Sequence, residues 1–370
     1  MISNTPSRKP KGLPLKKGWT TGACAAGAAA AAWRALMTGE FENSVTIDLP
    51  RGERPTFALS SKILGPDFAC AGVIKDAGDD PDVTHGLEIV TDVQKGRRGT
   101  GVTFAAGEGV GTVTLKGLPL DVGEPAINPG PRKYMTEALT QVAHDLNGPG
   151  AGIPDVRITI SIPDGQNVAL KTMNGRLGIK GGLSILGTTG VVVPYSCSSW
   201  IHSIQRGVDV ARAQNLVHVL ASTGRTSEQA ANAELRFSDE ALIDMGDFAG
   251  GLLKYLRTHP LPHLTIAGGF AKLVKLAQGE KDLHSARSQV DFEHLADLLA
   301  RLGGDRETVN QVRTANTAQH VLELAADSAP ELAHLIARQA REVAMATLAG
   351  GTQVTVWVYD RQGHRVGTST

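Results

Sequence analysis

The 370-residue sequence has few cysteines, few aromatic side chains and no net charge, and each shortage excludes a class of protein. Its three cysteines, Cys24, Cys70 and Cys197, are too scattered for a disulfide framework or a zinc site. Basic and acidic residues number 37 each, so no global field attracts nucleic acid or an anionic membrane surface. Aromatic residues make up 4% of the chain, so stacking surfaces are not expected.

Long hydrophobic runs are also missing. No apolar run approaches the roughly 20 residues that span a bilayer. The alanine-rich stretch 23–32 lacks the leucine-type apolarity of a signal peptide and follows a polar segment. Residues 1–17 carry lysine, arginine and proline, and they predict a basic, loosely ordered arm. These features predict a cytoplasmic protein that is not bound to a membrane.

The length predicts two domains, at roughly 150 residues each. The clearest linker is the glycine- and proline-rich segment 147–154, so the predicted domains are 1–150 and 151–370. Strand patterns before the linker predict an α+β domain with a mixed sheet. Strands and helices alternate after it, which predicts a Rossmann-like α/β domain with C-terminal helices. The fold class is therefore α+β followed by α/β.

Ionisable side chains concentrate in segment 73–86, which holds four aspartates, one lysine and one histidine. Gly78, Pro81 and Gly86 exclude a regular helix or central strand, so the segment is predicted to be a loop between two strands. Asp79, Asp80 and His85 are the candidate catalytic groups. A solvated acidic turn is the alternative interpretation, and a metal site ranks below that turn, so no metal is predicted.

Two further segments of the first half are candidates for binding an anion. Thr20 or Thr21 can cap an alanine-rich helix whose first turn would attract a carboxylate, although a tightly packed core helix fits the alanines equally well. The rigid turn 125–131 delivers Arg132 and Lys133 to the start of another helix. The glycine-spaced segment 107–111 is a weak signal because no helix follows it.

The second half contains three predicted strand–loop–helix units. Their loops hold the small or polar residues that a parallel sheet presents to a nucleotide-like ligand at the carboxyl ends of its strands. The corresponding segments are 221–228, 246–248 and 268–269.

Five segments together resemble the CbiD family, in order and across nearly the whole chain. They are GWTTGACAAGAAAAA (18–32), VIKDAGDDPDVTHG (73–86), GEGVGTVTLKGL with PAINPGPR (107–118, 125–132), RLGIKGGLSILGTTGVVVPYS (176–196) and GGFAKLVKLAQG with LHS (268–279, 283–285). The departures from the family pattern are Trp19, Ala23, Gly27 and Gly130, and none removes a charged group.

The resemblance implies a reaction and its reactants. A methyl group would pass from S-adenosylmethionine to ring carbon 1 of cobalt-precorrin-5B, giving cobalt-precorrin-6A in the anaerobic pathway to cobalamin. Both reactants are already activated, so positioning could supply up to roughly 7–11 kcal/mol, and the need for a general base is left open. The resemblance leaves open a homo-oligomer and contacts with neighbouring enzymes of the corrin pathway.

The candidate binding residues are hypotheses, and they lie in the matched motifs and in the loops of the second half. The carboxylates of the macrocycle are expected to meet the cations and the first-turn hydroxyls, namely Thr20, Thr21, Lys75, Arg132, Lys133, Arg176 and Lys180. The methyl donor is expected at the glycine-rich loops, with Asp244 or Asp247 on the ribose. These donor-binding residues are Gly187, Thr188, Thr189, Gly190, Thr223, Gly224, Arg225, Asp247, Gly268 and Gly269.

Two other functions stay open from the residues alone. A tetrapyrrole carrier would need the cations of the first half but no site for a methyl donor. A phosphotransferase could use the Thr20–Cys24 turn and the 107–111 turn to hold phosphates. No Gly-x-x-x-x-Gly-Lys-Ser/Thr loop supports that second alternative.

Overall fold

A computed structural model describes residues 14–370 and divides the chain into two units, with the division between Ser196 and Cys197. Residues 1–13, which include most of the predicted basic arm, lie outside the described residues. The elements of the first unit are β1 (Gly18–Trp19), α1 (Thr21–Thr38), β2 (Ser44–Thr46), β3 (Thr56–Ala58), β4 (Ser61–Leu64), β5 (Phe68–Ile74), β6 (Glu88–Lys95), β7 (Val102–Ala106), β8 (Thr112–Val113), α2 (Pro129–Asn147), β9 (Val156–Ser161), α3 (Gly165–Ala169), β10 (Ile179–Lys180) and β11 (Val191–Val192).

Helix α1 is central to the first unit because its small side chains permit close packing on several sides. Thr20 caps it by accepting a hydrogen bond from the Ala23 amide at 3.2 Å, and Gly39 ends it in the left-handed conformation at φ 87°. The helix packs against β5, β6 and α2. It is therefore a core helix, as one of the two sequence interpretations proposed.

The main sheet of the first unit is mixed, with the strand order β4-β5-β6-β9-β7. Neighbours pair antiparallel from β4 to β9, and β7 pairs parallel with β9. Ile89, Ile158 and Ile160 are fully buried in the same core as the alanines of α1. The mixed α/β architecture with several sheets is thus confirmed.

The predicted boundary at residue 150 is wrong. Strand β9 lies between β6 and β7 in the sheet of the first unit. Segments 177–194 also pair with that unit, since β10 pairs with β8 and β11 pairs with β1. Residues 151–196 therefore complete the first unit, and the glycine- and proline-rich segment 147–154 is a connection within it.

The second unit contains a single five-stranded sheet and most of the helices. Its elements are α4 (Cys197–Ala213), β12 (His218–Ser222), α5 (Arg225–Leu235), β13 (Leu242–Asp244), α6 (Ala249–Leu256), β14 (His263–Gly269), α7 (Phe270–Ala277), α8 (Phe292–Arg301), α9 (Arg306–Arg313), α10 (Ala318–Ala325), α11 (Ala329–Leu348), β15 (Gln353–Tyr359) and β16 (Arg365–Thr368), with 3₁₀ turns at Asp239–Ala241 and Ala326–Ser328.

The sheet of the second unit has the order β13-β12-β14-β15-β16. Its first four strands are parallel, and β16 returns antiparallel to β15. Leu220 belongs to the cluster that includes Ala231 of α5, whereas Val219 and Ala221 belong to the large core formed with the other helices. Both faces are therefore covered, and the carboxyl ends of four strands share one edge.

Within residues 14–370, no helix is both long and apolar enough to cross a membrane.

Candidate functional site

The acidic loop, residues 75–87, joins β5 to β6 and is held by backbone hydrogen bonds at its base. The Lys75 amide donates to the Leu87 carbonyl at 2.9 Å, and the Gly86 amide donates to the Lys75 carbonyl at 2.8 Å. Gly78 has φ 67°, and an added Cβ there would lie 2.2 Å from the Lys16 carbonyl oxygen. The loop is therefore a fixed, closely packed structure, as expected of a hairpin connection that requires glycine.

Lys75 is buried beneath this loop, with 1% of its side chain exposed. Its Nζ donates to Asp82 Oδ2 at 2.7 Å, and Asp82 Oδ1 accepts two bonds from Thr84. Burial alone would raise the pKa of the Asp82 carboxyl, but the charge and hydrogen bond of Lys75 and the bonds from Thr84 outweigh it and lower that pKa. The prediction that Lys75 binds substrate is wrong, because the ammonium group is enclosed and paired.

His85 is the exposed chemical group of the acidic loop, with 54% of its side chain accessible. Its Nδ1 accepts the Ala77 amide at 3.0 Å. In a neutral imidazole the proton then lies on Nε2, so the free side of the ring is a hydrogen-bond donor. Taking up a proton at Nδ1 would break the bond from Ala77, which favours a donor role for His85 over the role of general base.

The aspartates of the loop accept backbone and lysine donors. Asp79 Oδ2 accepts the Lys16 amide at 2.6 Å, and Asp80 Oδ1 accepts the Tyr195 amide at 2.8 Å. Lys16 Nζ lies 2.5 Å from Asp76 Oδ2. This bond, together with the Gly78 amide, lowers the pKa of the Asp76 carboxyl. These donors offset the repulsion among the four carboxylates, and Asp79 and Asp80 anchor neighbouring segments beside His85.

The N-terminus of α1 is closed by protein groups. Thr20 and Thr21 are 6% and 3% exposed. The Thr20 amide donates to the Gly190 carbonyl at 2.9 Å, and the Gly22 amide donates to the Leu186 carbonyl at 3.2 Å. Thr21 Oγ1 accepts the Leu186 amide at 3.0 Å. The prediction that Thr20 and Thr21 bind an anion is therefore wrong, because both side chains are buried and their hydroxyls, like the Thr20, Gly22 and Ala23 amides, already have protein partners.

The loop Gly187–Gly190 belongs to the first unit and packs against the start of α1, whereas the other predicted donor-binding loops belong to the second unit. An added Cβ on Gly187 would lie 2.5 Å from Thr20, and one on Gly190 would lie 2.7 Å from Leu49. Tyr134 donates its hydroxyl to the Gly187 carbonyl at 3.1 Å. The glycines serve this packing, Thr188 is exposed, and Thr189 accepts the Val191 amide at 3.2 Å. Their assignment to the methyl donor stays a prediction, with Thr188 as the exposed side chain of the loop.

The remaining predicted cations of the first unit divide into two groups. Arg132 donates to the Ile127 carbonyl at 2.8 Å and to Glu124 at 2.9 Å, so it fixes the preceding turn; 24% of its side chain stays exposed, and its binding to substrate stays a prediction. Lys133 and Lys180 are exposed, and Arg176 is half-buried. Lys133 lines a depression of about 550 Å³ between the turn and α2.

The carboxyl edge of the second unit brings together several predicted donor-binding residues. Thr223, Gly224, Arg225 and Gly269 line one cavity of about 360 Å³, at the ends of β12 and β14. Gly268 is buried beside it, and an added Cβ there would lie 2.9 Å from the Thr223 side chain. This part of the predicted site is spatially coherent.

Two predicted ribose acceptors lie elsewhere on this edge. Asp247 is paired with Lys272, and Asp244 Oδ1 accepts the Gly246 amide at 3.2 Å. Neither aspartate is among the residues that line the 360 Å³ cavity.

Sequence reasoning missed several residues that line the same cavity. They are Lys272, Thr317, Tyr359, Asp360 and Arg361. The alternation of residues 353–359 predicts a strand, but it does not indicate that this strand is a parallel neighbour of β14. The start of α10 carried no comparable signal, because its position depends on how the C-terminal helices pack.

Among residues 14–370, no group of three or more histidine, cysteine, aspartate or glutamate side chains is arranged to hold a metal ion.

Comparison with known proteins gives consistent matches over nearly the whole chain. The CbiD family model matches residues 8–194, and the model of the CbiD C-terminal domain matches residues 282–370. The cobalt-precorrin-5B C(1)-methyltransferase of Rhodospirillum rubrum is 57% identical over 96% of this chain and 98% of the relative. The protein of that name from Brucella canis is 54% identical over 97% of each chain. The crystal structure of a cobalamin biosynthesis protein (cbiD) from Archaeoglobus fulgidus matches with 26% identity, 74% of this chain, 83% of that chain and a TM-score of 0.39.

Proposed function

The chain belongs to the CbiD family, and we propose that it is a cobalt-precorrin-5B C(1)-methyltransferase that uses S-adenosylmethionine as its methyl donor. The observation that carries the proposal is 57% identity to a relative of that name over 96% of the chain. In the reaction, ring carbon 1 supplies the electron pair of the new carbon–carbon bond. The sulfonium sulfur keeps the pair of the broken carbon–sulfur bond and leaves as a thioether.

We assign the macrocycle to groups of the first unit. His85 offers an exposed Nε2–H beside a loop fixed by Asp79 and Asp80, and it can donate to a carboxylate or a ring substituent. Lys133, Arg176 and Lys180 are the remaining predicted cations for the acetate and propionate groups, with Lys133 beside a depression of about 550 Å³. In this proposal Asp79 and Asp80 position the loop, and His85 contacts the substrate.

We assign the methyl donor to the second unit, which we interpret as Rossmann-like. Four parallel strands with helices on both faces support this interpretation, because ligands of such sheets bind beyond the carboxyl ends of the strands. Thr223, Gly224, Arg225 and Gly269 line the cavity found at that edge. A bound donor supplies the activated methyl group, and the residues of the chain bind and orient it.

Incubation of the full chain with labelled S-adenosylmethionine and cobalt-precorrin-5B tests the activity. The label is expected on ring carbon 1 of the product. Label on another ring position, or no transfer while the donor is bound, would contradict the proposed function.

The role of His85 is tested by His85→Asn, whose side-chain oxygen can still accept the Ala77 amide but whose outer N–H is lost. One hydrogen bond to a charged group contributes about 1.5–3 kcal/mol, so we expect kcat/KM to fall roughly 10- to 100-fold, mainly through KM. His320→Gln, at an exposed position of the second unit, is the matched control. Unchanged kinetics in His85→Asn would show that the histidine serves the loop alone.

A further inference from the structure

Trp200, in the first turn of α4, is the most exposed of the four tryptophans in the chain. It is 46% exposed, whereas Trp33 is buried and both Trp19 and Trp357 are half-buried. A single exposed aromatic ring is common on protein surfaces and indicates no function by itself. Trp200 differs from such a ring in the contacts that hold it and in its place in the fold.

Three contacts within the second unit fix the indole ring of Trp200. Its Nε1–H donates to the Asp244 carbonyl at 3.2 Å. The same edge of the ring faces Gly246, since a Cβ added to that glycine would lie 3.4 Å from Nε1, Cε2 and Cζ2. The Phe248 ring packs beside it, with centroids 6.5 Å apart and planes tilted by 46°. The one polar atom of the side chain is therefore bonded to the backbone, and its exposed part is the hydrocarbon surface of a ring that is already positioned.

These contacts place the ring at the carboxyl edge of the parallel sheet. Asp244 is the last residue of β13, and Gly246 follows it in the left-handed conformation, at φ 50°. The Gly246 amide donates to the carbonyl of Ser222, at the end of β12, at 3.2 Å. The next residue, Thr223, lines the cavity of about 360 Å³. Because neighbouring strands are about 4.8 Å apart, a single extended ligand can reach from the ring to the cavity.

Asp244 brings a carboxylate to the same place. Its Oδ1 accepts the Gly246 amide at 3.2 Å, so the carboxylate lies beside the glycine that the indole faces. In nucleotide-binding parallel sheets, an acidic residue about 20 residues after the first strand–helix turn accepts a ribose hydroxyl. Asp244 follows the turn between β12 and α5 by that spacing, at the end of the neighbouring strand. An aromatic ring next to it is therefore suited to the base that the ribose carries.

We propose that Trp200 stacks on the adenine base of the methyl donor, with Asp244 beside the ribose. This assignment rests on the proposed function, which supplies the donor. Every nucleobase offers a π face to an aromatic ring, and removal of such a ring weakens the binding of one base roughly 5- to 100-fold. One ring holds one base, so the low aromatic content of the chain does not oppose the assignment. The rest of the donor extends toward the cavity at the ends of β12 and β14.

Calorimetric titration of the full chain with matched ligands tests the stacking. Adenosine, 5′-methylthioadenosine and S-adenosylhomocysteine share the adenine base, whereas S-ribosylhomocysteine keeps the ribose, thioether and amino acid but lacks the base. Trp200→Leu keeps an apolar side chain without a π face. It should weaken the three adenine ligands by a similar factor, roughly fivefold or more, and leave S-ribosylhomocysteine unchanged. Unchanged affinity for the three adenine ligands would overturn the proposal, even if methyl transfer persists.

Trp200→Phe separates the aromatic face from the hydrogen bond. Both substitutions remove the bond from Nε1 to Asp244, but phenylalanine keeps a π face, so its affinity for adenosine should stay within about threefold of wild type. Met345→Ala removes another exposed apolar side chain of the second unit and should alter neither the affinities nor the thermal midpoint. Equal losses of adenosine affinity in Trp200→Phe and Trp200→Leu would assign the effect to the hydrogen bond and contradict the stacking.

Tryptophan fluorescence provides a readout that a merely structural role would not change. Adenosine should quench part of the emission of the wild-type chain. In Trp200→Phe the quenching should disappear while calorimetric binding of adenosine remains. Quenching that persists in Trp200→Phe would place the base against another tryptophan and overturn the assignment.

Failure of the proposed function gives a different result. Adenosine binding with quenching that depends on Trp200, but without methyl transfer to cobalt-precorrin-5B, would support the stacking and contradict the proposed function. If Trp200→Leu instead weakens cobalt-precorrin-5B and leaves the nucleosides unchanged, the ring belongs to the macrocycle and the stacking on adenine is overturned.

Discussion

Lys75 places an ammonium group in the interior of the first unit, where Asp82 accepts its hydrogen bond at 2.7 Å. The same environment affects Cys24 of α1. Burial raises the pKa of the Cys24 thiol to about 12, and the nearby positive charge of Lys75 opposes this rise without cancelling it. The interior here is apolar enough for desolvation to dominate, so the lysine depends on its one carboxylate partner.

Replacing Lys75 with methionine should destabilise the first unit. The substitution leaves Asp82 partly buried without its cation, and breaking such a pair costs about 3–5 kcal/mol. We expect the urea midpoint to fall accordingly. Lys133→Met is the control, since Lys133 is 76% exposed and lies 4.0 Å from Glu137. Its effect should stay within about 0.5 kcal/mol, and an equally small effect of Lys75→Met would contradict the structural role of Lys75.

Residue types could be read from the sequence, but their partners could not. The acidic loop was identified correctly as the segment between β5 and β6, and His85 is exposed there. The burial of Lys75 and the hydrogen bonds of Arg132 to Glu124 and Ile127 depend on contacts with loops, for which neither the helical nor the strand period applies. A lysine or arginine in a glycine-rich segment therefore predicts a ligand-binding group. In the fold, Lys75 and Arg132 instead form ion pairs with Asp82 and Glu124 of the protein itself.

Regular elements were largely predictable, and the short pairings were not. The alternation of residues 353–359 predicts strand β15 at its observed bounds. The sequence predicts a helix over 134–146, whereas α2 begins at Pro129, five residues earlier. Proline suits the first turn of a helix, so the turn and the helix are continuous there. The two-residue strands β1, β8, β10 and β11 carry no detectable period. They explain why the glycine-rich segment 177–194 was assigned to the wrong unit.

The sheet of the second unit contains an acid-sensitive pair at the amino ends of β12 and β14. His218 and His263 stack with ring centroids 3.8 Å apart, and each Nε2 contacts a threonine hydroxyl, at 2.8 Å for Thr265 and 2.9 Å for Thr355. Burial lowers the pKa of both imidazoles, and with the neighbouring His263 it brings that of His218 to about 4. Both rings are therefore neutral in the folded protein at pH 7.

Acidification should destabilise the protein before its carboxylates titrate. The unfolded chain binds protons at His218 below a pKa of about 6.5, while the folded chain resists them until about pH 4, so stability is lost as pH falls between these values. The loss at pH 4 should be on the order of 2–3 kcal/mol. His218→Gln should flatten the thermal midpoint between pH 6.5 and 4.5. The exposed control His320→Gln should retain the slope, and a slope shared by all three proteins would contradict the assignment.

At the scale of the whole molecule, glycine and proline content predicts the wrong domain boundary. The reason is that a connection with the composition of a flexible linker precedes a central strand of the first unit. Segment 147–154 has the glycine and proline content of a linker, yet β9 follows it and completes the sheet of the first unit. Strand order is set by contacts between residues far apart in sequence, and local composition does not contain it. The division in the structure, after Ser196, directly follows the glycine-rich segment 177–194, whose strands β10 and β11 pair within the first unit.

This correction predicts how fragments of the chain behave. Val156, Ile158, Ile160 and Ile162 are fully buried in the first unit. Full burial of an aliphatic side chain contributes about 1.5–3 kcal/mol, so together they supply roughly 6–12 kcal/mol. That is comparable to the whole free energy of unfolding of a domain, about 5–15 kcal/mol. A fragment of residues 1–150 should therefore remain unfolded, whereas residues 1–196 should fold.

Circular dichroism and urea unfolding of the two fragments provide the measurement. Residues 1–196 should unfold in one cooperative transition, and residues 1–150 should show none, because β6 and β7 lose the strand that joins them. The quadruple replacement of Val156, Ile158, Ile160 and Ile162 by serine within 1–196 is the matched control. It keeps the chain length and should abolish the transition as well. A cooperative transition in residues 1–150 would show that the sheet closes without β9 and would restore the boundary that composition indicated.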